Sequence, residues 1–323
     1  MKIFSGIRPS GQLHLGNYLG AIKNWLKLQD EAELTVFGIV DYHAITTPYE
    51  PEKLKNQVYD TALDFLAAGI DPEKSLLFRQ SQVPQHTEVA WIFNTITPIS
   101  WLNRLPTYQE QLEKNPKYNH MGLLDYPVLM AADILIYKAN AVPVGEDQRP
   151  HIDLTNEIVK KFNHMFGETF EPVKPIISED SARIMSLQNP TEKMSKTGDE
   201  GIALSDSSDA VKDKIKKAVT DSGNEVRFDK KEKPAISNLL NIYSQLSDRK
   251  ISEIEQEYRG KTYSQFKDGL TEVINDFLHN FQKKRAEIEE NMEVELVLTK
   301  SEKDAIIVAN NTLTDVKQKL GIL

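Results

Sequence analysis

Two short segments carry the residue types that phosphate chemistry needs. Pro9-Ser10-Gly11-Gln12-Leu13-His14-Leu15-Gly16-Asn17 joins small residues to hydroxyl, imidazole and amide donors, and Lys193-Met194-Ser195-Lys196-Thr197 puts two ammonium groups in one short loop. The first runs from a strand-like stretch into a helix-like one. Free backbone N–H groups and the positive end of the helix dipole would meet an anion there, with Gly11 and Gly16 permitting close approach. His14 suits an α-phosphate, because it can donate to oxygens that gain charge in a pentacovalent transition state. The lysine loop can close around charge that moves during a reaction.

Between these segments lies an apolar helical stretch, Leu123 to Leu135, that contains Asp133 one turn from Met130. A carboxylate in such a setting needs a partner or a job. Asp133 is either a structural hydrogen-bond acceptor or the acceptor for a ring N–H of a ligand packed on Met130. Soon after comes Val142-Pro143-Val144-Gly145-Glu146-Asp147-Gln148, an apolar strand that ends in acidic and amide groups. At the carboxyl end of a strand, Asp147 can take ribose hydroxyls and Gln148 a substrate ammonium.

The elements that must hold these groups follow from periodicity. Lys2 to Ile7, Leu34 to Val40, Ser75 to Phe78 and Ala141 to Val144 read as strands alternating with helices, the pattern of an α/β domain with a parallel sheet. Leu15, Leu19, Ile22 and Leu26 form one apolar helical stripe, and a further helix runs from Pro51 to Gly69. From Pro84 to Tyr137 the chain reads as a helical insertion. Ser186 to Ser208 is loop and linker, and beyond it helical periodicity persists with little β signal. Ser301 with Asp304 suggests a capping box opening a last helix to about Leu320.

Composition narrows the classes. With 323 residues, 40% hydrophobic and 27% charged, the chain is of the soluble globular type and long enough for two domains. No apolar run approaches a membrane span and no signal-peptide pattern opens the sequence, so a cytoplasmic location is expected. Without cysteine there is no thiolate metal site or thiol nucleophile. A net charge of −9 argues against indiscriminate nucleic-acid binding. Lysines at 212, 214, 216, 217, 230, 231, 233, 283 and 284, with Arg285, form basic clusters in the second half, read as solvated faces or a local basic surface.

In their order and spacing, Gly6 to Asn17, Met130 to Leu135, Gly145 to Gln148 and Lys193 to Thr197 resemble the class I aminoacyl-tRNA synthetases, and within them the tryptophan branch. The first segment is similar to the HIGH-type signature, with Asn17 where many members have a second His. The last is similar to KMSKS, with Thr197 closing it. The tyrosine branch would be expected to show a Tyr and Asp pair and a GSDQ-like string. Met-Ala-Ala-Asp133 and GEDQ favour tryptophan.

The resemblance covers nearly the whole chain and implies a Rossmann-like parallel-sheet nucleotide-binding domain over residues 1–190, with a helical insertion at about 84–140. It further implies a KMSKS-type loop and linker over 191–205 and an α-helical anticodon-binding domain over 206–323. The implied reaction is ATP-dependent activation of L-tryptophan with release of pyrophosphate, then transfer to tRNA(Trp). The implied catalytic residues are His14, Lys193, Ser195 and Lys196. ATP falls at Arg8, Pro9, Ser10, Gly16, Asn17, Gly145, Glu146, Asp147, Ile184 and Lys193-Met194-Ser195-Lys196-Thr197. Tryptophan falls at Asp133, with Phe4, His43, Tyr126, Met130, Val142, Val144 and Gln148 around it. Mg²⁺ would arrive with the phosphates, without a dedicated protein site, and a homodimer is implied, with Trp91 to Leu105 as its face.

The sequence departs from the family at Arg8, where many members have Gln, and at Tyr42. Gln109 stands where some members have a Lys that reaches the phosphates, so Arg8 is the candidate replacement cation. Tyrosine as the substrate, a nucleotidyltransferase making small dinucleotides and a silent RNA-binding paralogue are the competing readings.

Overall fold

The computed structural model describes residues 1–114, 116–177, 183–195 and 200–323. Apolar runs form the strands β1 (Lys2–Ile7), β2 (Leu34–Ile39), β3 (Ser75–Arg79), β4 (Ala141–Pro143) and β5 (Lys174–Ile176). They make one parallel sheet in the order β3-β2-β1-β4-β5, with Phe4 opposite Val36 and Ile7 opposite Ile39 in the central pair. β5 went unforeseen. It is three residues long and contains Pro175, which removes a ladder donor and is tolerated because β5 is an edge strand. The direction of strand addition reverses between β1 and β4, which opens a crevice at their carboxyl ends.

Helix α1 begins as Leu15–Asn17, passes through a π turn at Tyr18–Ile22 and continues as Lys23–Glu31. Leu15, Leu19 and Ile22 are buried as the stripe requires. Past the π turn the buried positions are Trp25 and Leu28, while Leu26 is half-buried. Helix α2 (Pro51–Ala68) starts on proline and ends at Gly69, whose φ of 110° is the left-handed cap geometry that favours glycine. Between β3 and β4 the expected insertion contains α3 (Gln85–Asn94), α4 (Met121–Leu135) and shorter helices Ile99–Asn103 and Pro106–Lys114. Helix α5 (Arg149–Phe166) precedes β5. The remainder is helical: α6 (Ser208–Lys217), α7 (Pro234–Ser247), α8 (Tyr263–Asn291) and α9 (Val294–Leu320), with a short helix Ile251–Glu257. Among the described residues, no helix is long and apolar enough to cross a membrane.

Among the described residues, two large cores flank the sheet, with a small third cluster at Ile3, Leu28 and Ala141. One runs from Trp25, Phe37 and Phe65 through Ile184 and Met194 to Leu240, Phe266 and Leu270, so Ile184 and Met194 are packed between the sheet side and α7 and α8. The other joins Phe4, Val36, Phe78 and Phe93 to Ala305, Ala309 and Leu313 of α9.

That second core corrects the reading of Ser301. The last helix opens at Val294, so Ser301 lies inside it and caps no helix. Its Oγ accepts from the Leu77 N–H at 2.7 Å, and Glu302 Oε1 accepts from the Arg79 N–H at 3.2 Å while its carboxylate also binds the Arg79 guanidinium. Helix α9 therefore supplies acceptors to the outer edge of β3, whose outward N–H groups have no strand beyond them among the described residues.

Several cations of the basic clusters serve the fold. Lys214 pairs with Asp206, Lys233 with Asp221, and Arg285 with Asp60 and Asp64 of α2. Lys212, Lys216, Lys230, Lys231, Lys283 and Lys284 are exposed.

Candidate active site

The N-terminal motif and the segment after the lysine motif are joined by main-chain bonds. Leu15 N–H donates to Ile202 O at 2.9 Å, Leu204 N–H donates to Leu13 O at 2.9 Å, and His14 forms an antiparallel bridge with Ala203. One of the helix-start N–H groups expected to face a ligand is thus already taken. His14 is buried, and its main-chain N–H donates to Asn17 Oδ1 at 3.2 Å. A Cβ on Gly16 would lie 2.9 Å from the His14 ring and 3.3 Å from Met194 Cβ, so Gly16 makes room for protein as well as for any ligand. Gly11 holds φ 115° at the turn.

Beside this motif, at the β1 and β4 strand ends, lies a cavity of about 500 Å³. Its walls include every residue placed around tryptophan by resemblance: Phe4, His43, Tyr126, Met130, Asp133, Val142, Val144 and Gln148. From the ATP set, Arg8, Ser10, Asn17 and Gly145 reach it, and the π turn contributes Gly20 and Ala21. Thr107 and Gln111 line it from the helix Pro106–Lys114, whereas Gln109 donates to Asn103 O and is absent from the lining.

Asp133 is 1% exposed and hydrogen-bonded through both oxygens, Oδ1 to two partners and Oδ2 to one. His43 Nε2 lies 2.8 Å from Oδ2, while His86 Nδ1 at 2.6 Å and Gln80 Nε2 at 2.7 Å share Oδ1. Burial alone would push this carboxyl up. The interactions with His43 and His86, their hydrogen bonds first, outweigh burial and hold it below the usual carboxylate range. His151 lies across the cavity, with Nε2 3.0 Å from the Tyr126 hydroxyl and 3.1 Å from Thr107 Oγ1. Burial, reinforced by His43 and opposed by Asp147, lowers it to about 4. Gln80, His86 and His151 went unremarked in the sequence, since they stand outside any recognisable string and come together only through the sheet and the insertion; Thr107 stands in the Thr107-Tyr108-Gln109 segment, which the sequence singles out only for Gln109.

The rest of the described ATP set lies outside the cavity lining. Lys193 Nζ binds Asp147 Oδ1 at 2.7 Å, and Gln148 Nε2 binds Asp147 Oδ2 at 3.0 Å. Burial raises Asp147, and the bonds from Lys193 and Gln148 more than reverse that. Glu146 is exposed and paired with Arg149. Pro9, Ile184 and Met194 are buried, with Met194 N–H donating to Ile184 O at 3.0 Å, and Ser195 bonds the Glu200 carboxylate. Lys196 and Thr197 lie outside the described residues.

Known proteins resemble this chain over its full length. The family described as tRNA synthetases class I (W and Y) matches residues 1–279. A tryptophan–tRNA ligase from Caldanaerobacter subterraneus is 44% identical over all of this chain and 98% of its own length, and one from Helicobacter pylori is 43% identical over all of this chain and 99% of its own. The crystal structure of the Mycoplasma pneumoniae tryptophanyl-tRNA synthetase superposes with a TM-score of 0.91 at 32% identity, covering 99% of this chain and 97% of that one. That of Campylobacter jejuni, complexed with ADP and tryptophan, has a TM-score of 0.85 at 32% identity and covers 99% and 100%. With full-length likeness in both sequence and fold, the chain belongs to the class I tRNA synthetases of the tryptophan and tyrosine group.

Proposed function

We infer that the crevice between β1 and β4 is where this chain carries out tryptophan–tRNA ligation. The chain activates L-tryptophan with ATP, releases pyrophosphate and transfers the amino acid to tRNA(Trp). The observation that carries the assignment of the site is that one cavity gathers Phe4, Met130, Asp133 and Gln148 with Arg8, Ser10, Asn17 and Gly145. An aromatic amino acid fits between apolar walls with its ring N–H toward Asp133, and its carboxylate then faces the strand ends where a nucleotide would lie.

The tryptophan carboxylate attacks the α-phosphorus in line and pyrophosphate departs, so no covalent enzyme intermediate is needed. Catalysis of this kind is mainly positioning and charge stabilisation. His14 and Arg8 stand toward the α-phosphate side. Lys193 is the departing pyrophosphate's cation, released from Asp147 when that carboxylate turns to the ribose. Mg²⁺ would be carried by the phosphate oxygens and neutralise them; among the described residues no three His, Cys, Asp or Glu side chains group to hold a metal. The helical part from residue 206 onward is the tRNA-facing domain, with the exposed lysines as its cations. A homodimer would cover Trp91 and Ile99, which are 71% and 64% exposed.

Amino-acid-dependent pyrophosphate exchange tests the site. Wild type should use tryptophan and ignore tyrosine, and Asp133→Ala should lose roughly 10⁴-fold in kcat/KM for tryptophan, because a site built on a buried polar pair is crippled when the pair is broken. A variant that still prefers tryptophan would place the ring elsewhere.

A further inference from the structure

Asp133 presents two oxygens, and the structure treats them differently. Oδ2 meets His43, a cavity-lining residue. Oδ1 meets His86 and Gln80, neither of which lines the cavity and both of which are completely buried. Behind His86, the Tyr137 hydroxyl lies 2.8 Å from Nε2, and Tyr137 is 1% exposed.

We propose that His86 and Gln80, with Tyr137 behind them, are positioning residues for amino-acid selection: they saturate Oδ1 of Asp133 and leave Oδ2 as the acceptor offered to the substrate's ring N–H. The proposal rests on the assignment of Asp133 to that N–H.

The hydrogen-bond logic is directional. An ionised carboxylate can only accept, so His86 must carry its proton on Nδ1, and in the neutral ring Nε2 is then an acceptor. Tyr137 supplies the matching donor; burial first, then the Asp133 charge, pushes its hydroxyl well above its ordinary value, which keeps that proton in place. A phenol that donates to Nε2 therefore selects the Nδ1–H form, which in turn fixes the carboxylate. Gln80 acts in the same sense, with Nε2 on Oδ1 and Oε1 accepting from the main-chain N–H groups of Tyr42 and His43 at 3.1 and 3.4 Å. It ties the backbone of the other histidine to the same carboxylate. Phe78 stacks on His86 with ring centres 5.3 Å apart, so the imidazole has little freedom to turn.

Selection then depends on groups that never touch the amino acid. A loosened carboxylate could rotate, divide its acceptors between wall and ligand, and gain less from a ring N–H.

The test compares tryptophan with its isostere bearing sulfur in place of the ring N–H, as the ratio of kcat/KM values in pyrophosphate exchange. His86→Ala should lower that ratio by at least about tenfold, the value of one hydrogen bond to a charged group, with the KM for ATP unmoved. His86→Asn, whose amide reproduces the Nδ1 donor, should restore the ratio, while His86→Gln, which mimics the other nitrogen, should not. Tyr137→Phe removes one oxygen and keeps the ring contacts. It should lower the ratio by less, and it decides the matter if His86→Ala fails to fold. A ratio preserved in His86→Ala, equal rescue by Gln and Asn, or an unchanged ratio in Tyr137→Phe overturns the proposal. A purely structural histidine would depress both substrates alike. Asp133→Asn separates the layers: a collapsed ratio there beside an intact one in His86→Ala removes only the positioning role, whereas an intact ratio in Asp133→Asn removes the assignment of Asp133 itself.

Discussion

The proposed amino-acid end of the site, at Asp133, and its proposed phosphate end, at Lys193, are built by opposite rules. At Asp133 every partner is buried and nothing need be exchanged with solvent: two imidazoles and an amide converge on one carboxylate in a low-dielectric wall. At Lys193 the partner is Asp147, and the two side chains are 47% and 42% exposed. Exposed pairs of this kind are worth about 0–1 kcal/mol, so a triphosphate and a ribose can take over both charges at little cost. On the proposed assignment, a neutral ring carrying a single donor would be recognised by an acceptor fixed in advance, and charge that shifts during the reaction would be met by cations held loosely enough to change partners.

Lys193→Ala should test the phosphate end most severely. Removing one group that stabilises transition-state charge costs about 10²- to 10³-fold in kcat, so exchange should fall by that factor. The KM for tryptophan and the melting temperature should hardly change, because the ion pair with Asp147 contributes little to folding. A large fall in melting temperature would mean that the pair is structural and that the contrast between the ends is false.

The buried end should reveal itself in acid. His151 is lowered to about 4 by burial, while an unfolded histidine titrates near ~6.5. Between those values the unfolded chain binds a proton that the folded chain refuses, so stability is complete above ~6.5 and falls as pH drops toward 4, by about 3 kcal/mol. Asp133 acts in a lower window: its contribution is present above the usual carboxylate value and is lost only as pH falls through its depressed one. Urea unfolding at pH 7, 5.5 and 4.5 should show the first slope in wild type and a flatter one in His151→Gln, which keeps an amide near Tyr126 and Thr107. Equal slopes would remove His151 from the account.

The same contrast explains what was legible beforehand. β1 to β4 announce themselves as apolar runs, and Pro51 with Gly69 mark a helix by local stereochemistry alone. Asp133 stood out because a carboxylate in an apolar helix demands a reason, and Lys193 because its motif is contiguous. Gln80 and His86 were not legible: they lie more than forty residues before Asp133 and meet it only when β3, α3 and α4 pack. Ser301 misled, because a Ser three residues before an Asp has the local form of a cap, and the acceptor it supplies to Leu77 lies 224 residues away. β5 hid behind its own proline.

Ser301→Ala gives the smallest effect and the finest test of how insulated the buried end is. Removing Oγ leaves the Leu77 N–H without an acceptor in a buried setting, which costs about 1–2 kcal/mol, to be read as a lower urea midpoint with an unchanged slope. β3 ends at Arg79, and the next residue is Gln80, so any slackening of the strand points toward the side chain that holds Oδ1. Gln80 is also anchored by the N–H groups of Tyr42 and His43, and Asp133 by both histidines, so these bonds should absorb a small displacement of the strand. Stability should therefore fall while preference for tryptophan over its sulfur isostere stays at the wild-type ratio. A lowered ratio would show that the acceptor is only as rigid as the edge of the sheet, and that α9 takes part in choosing the amino acid from the far side of β3.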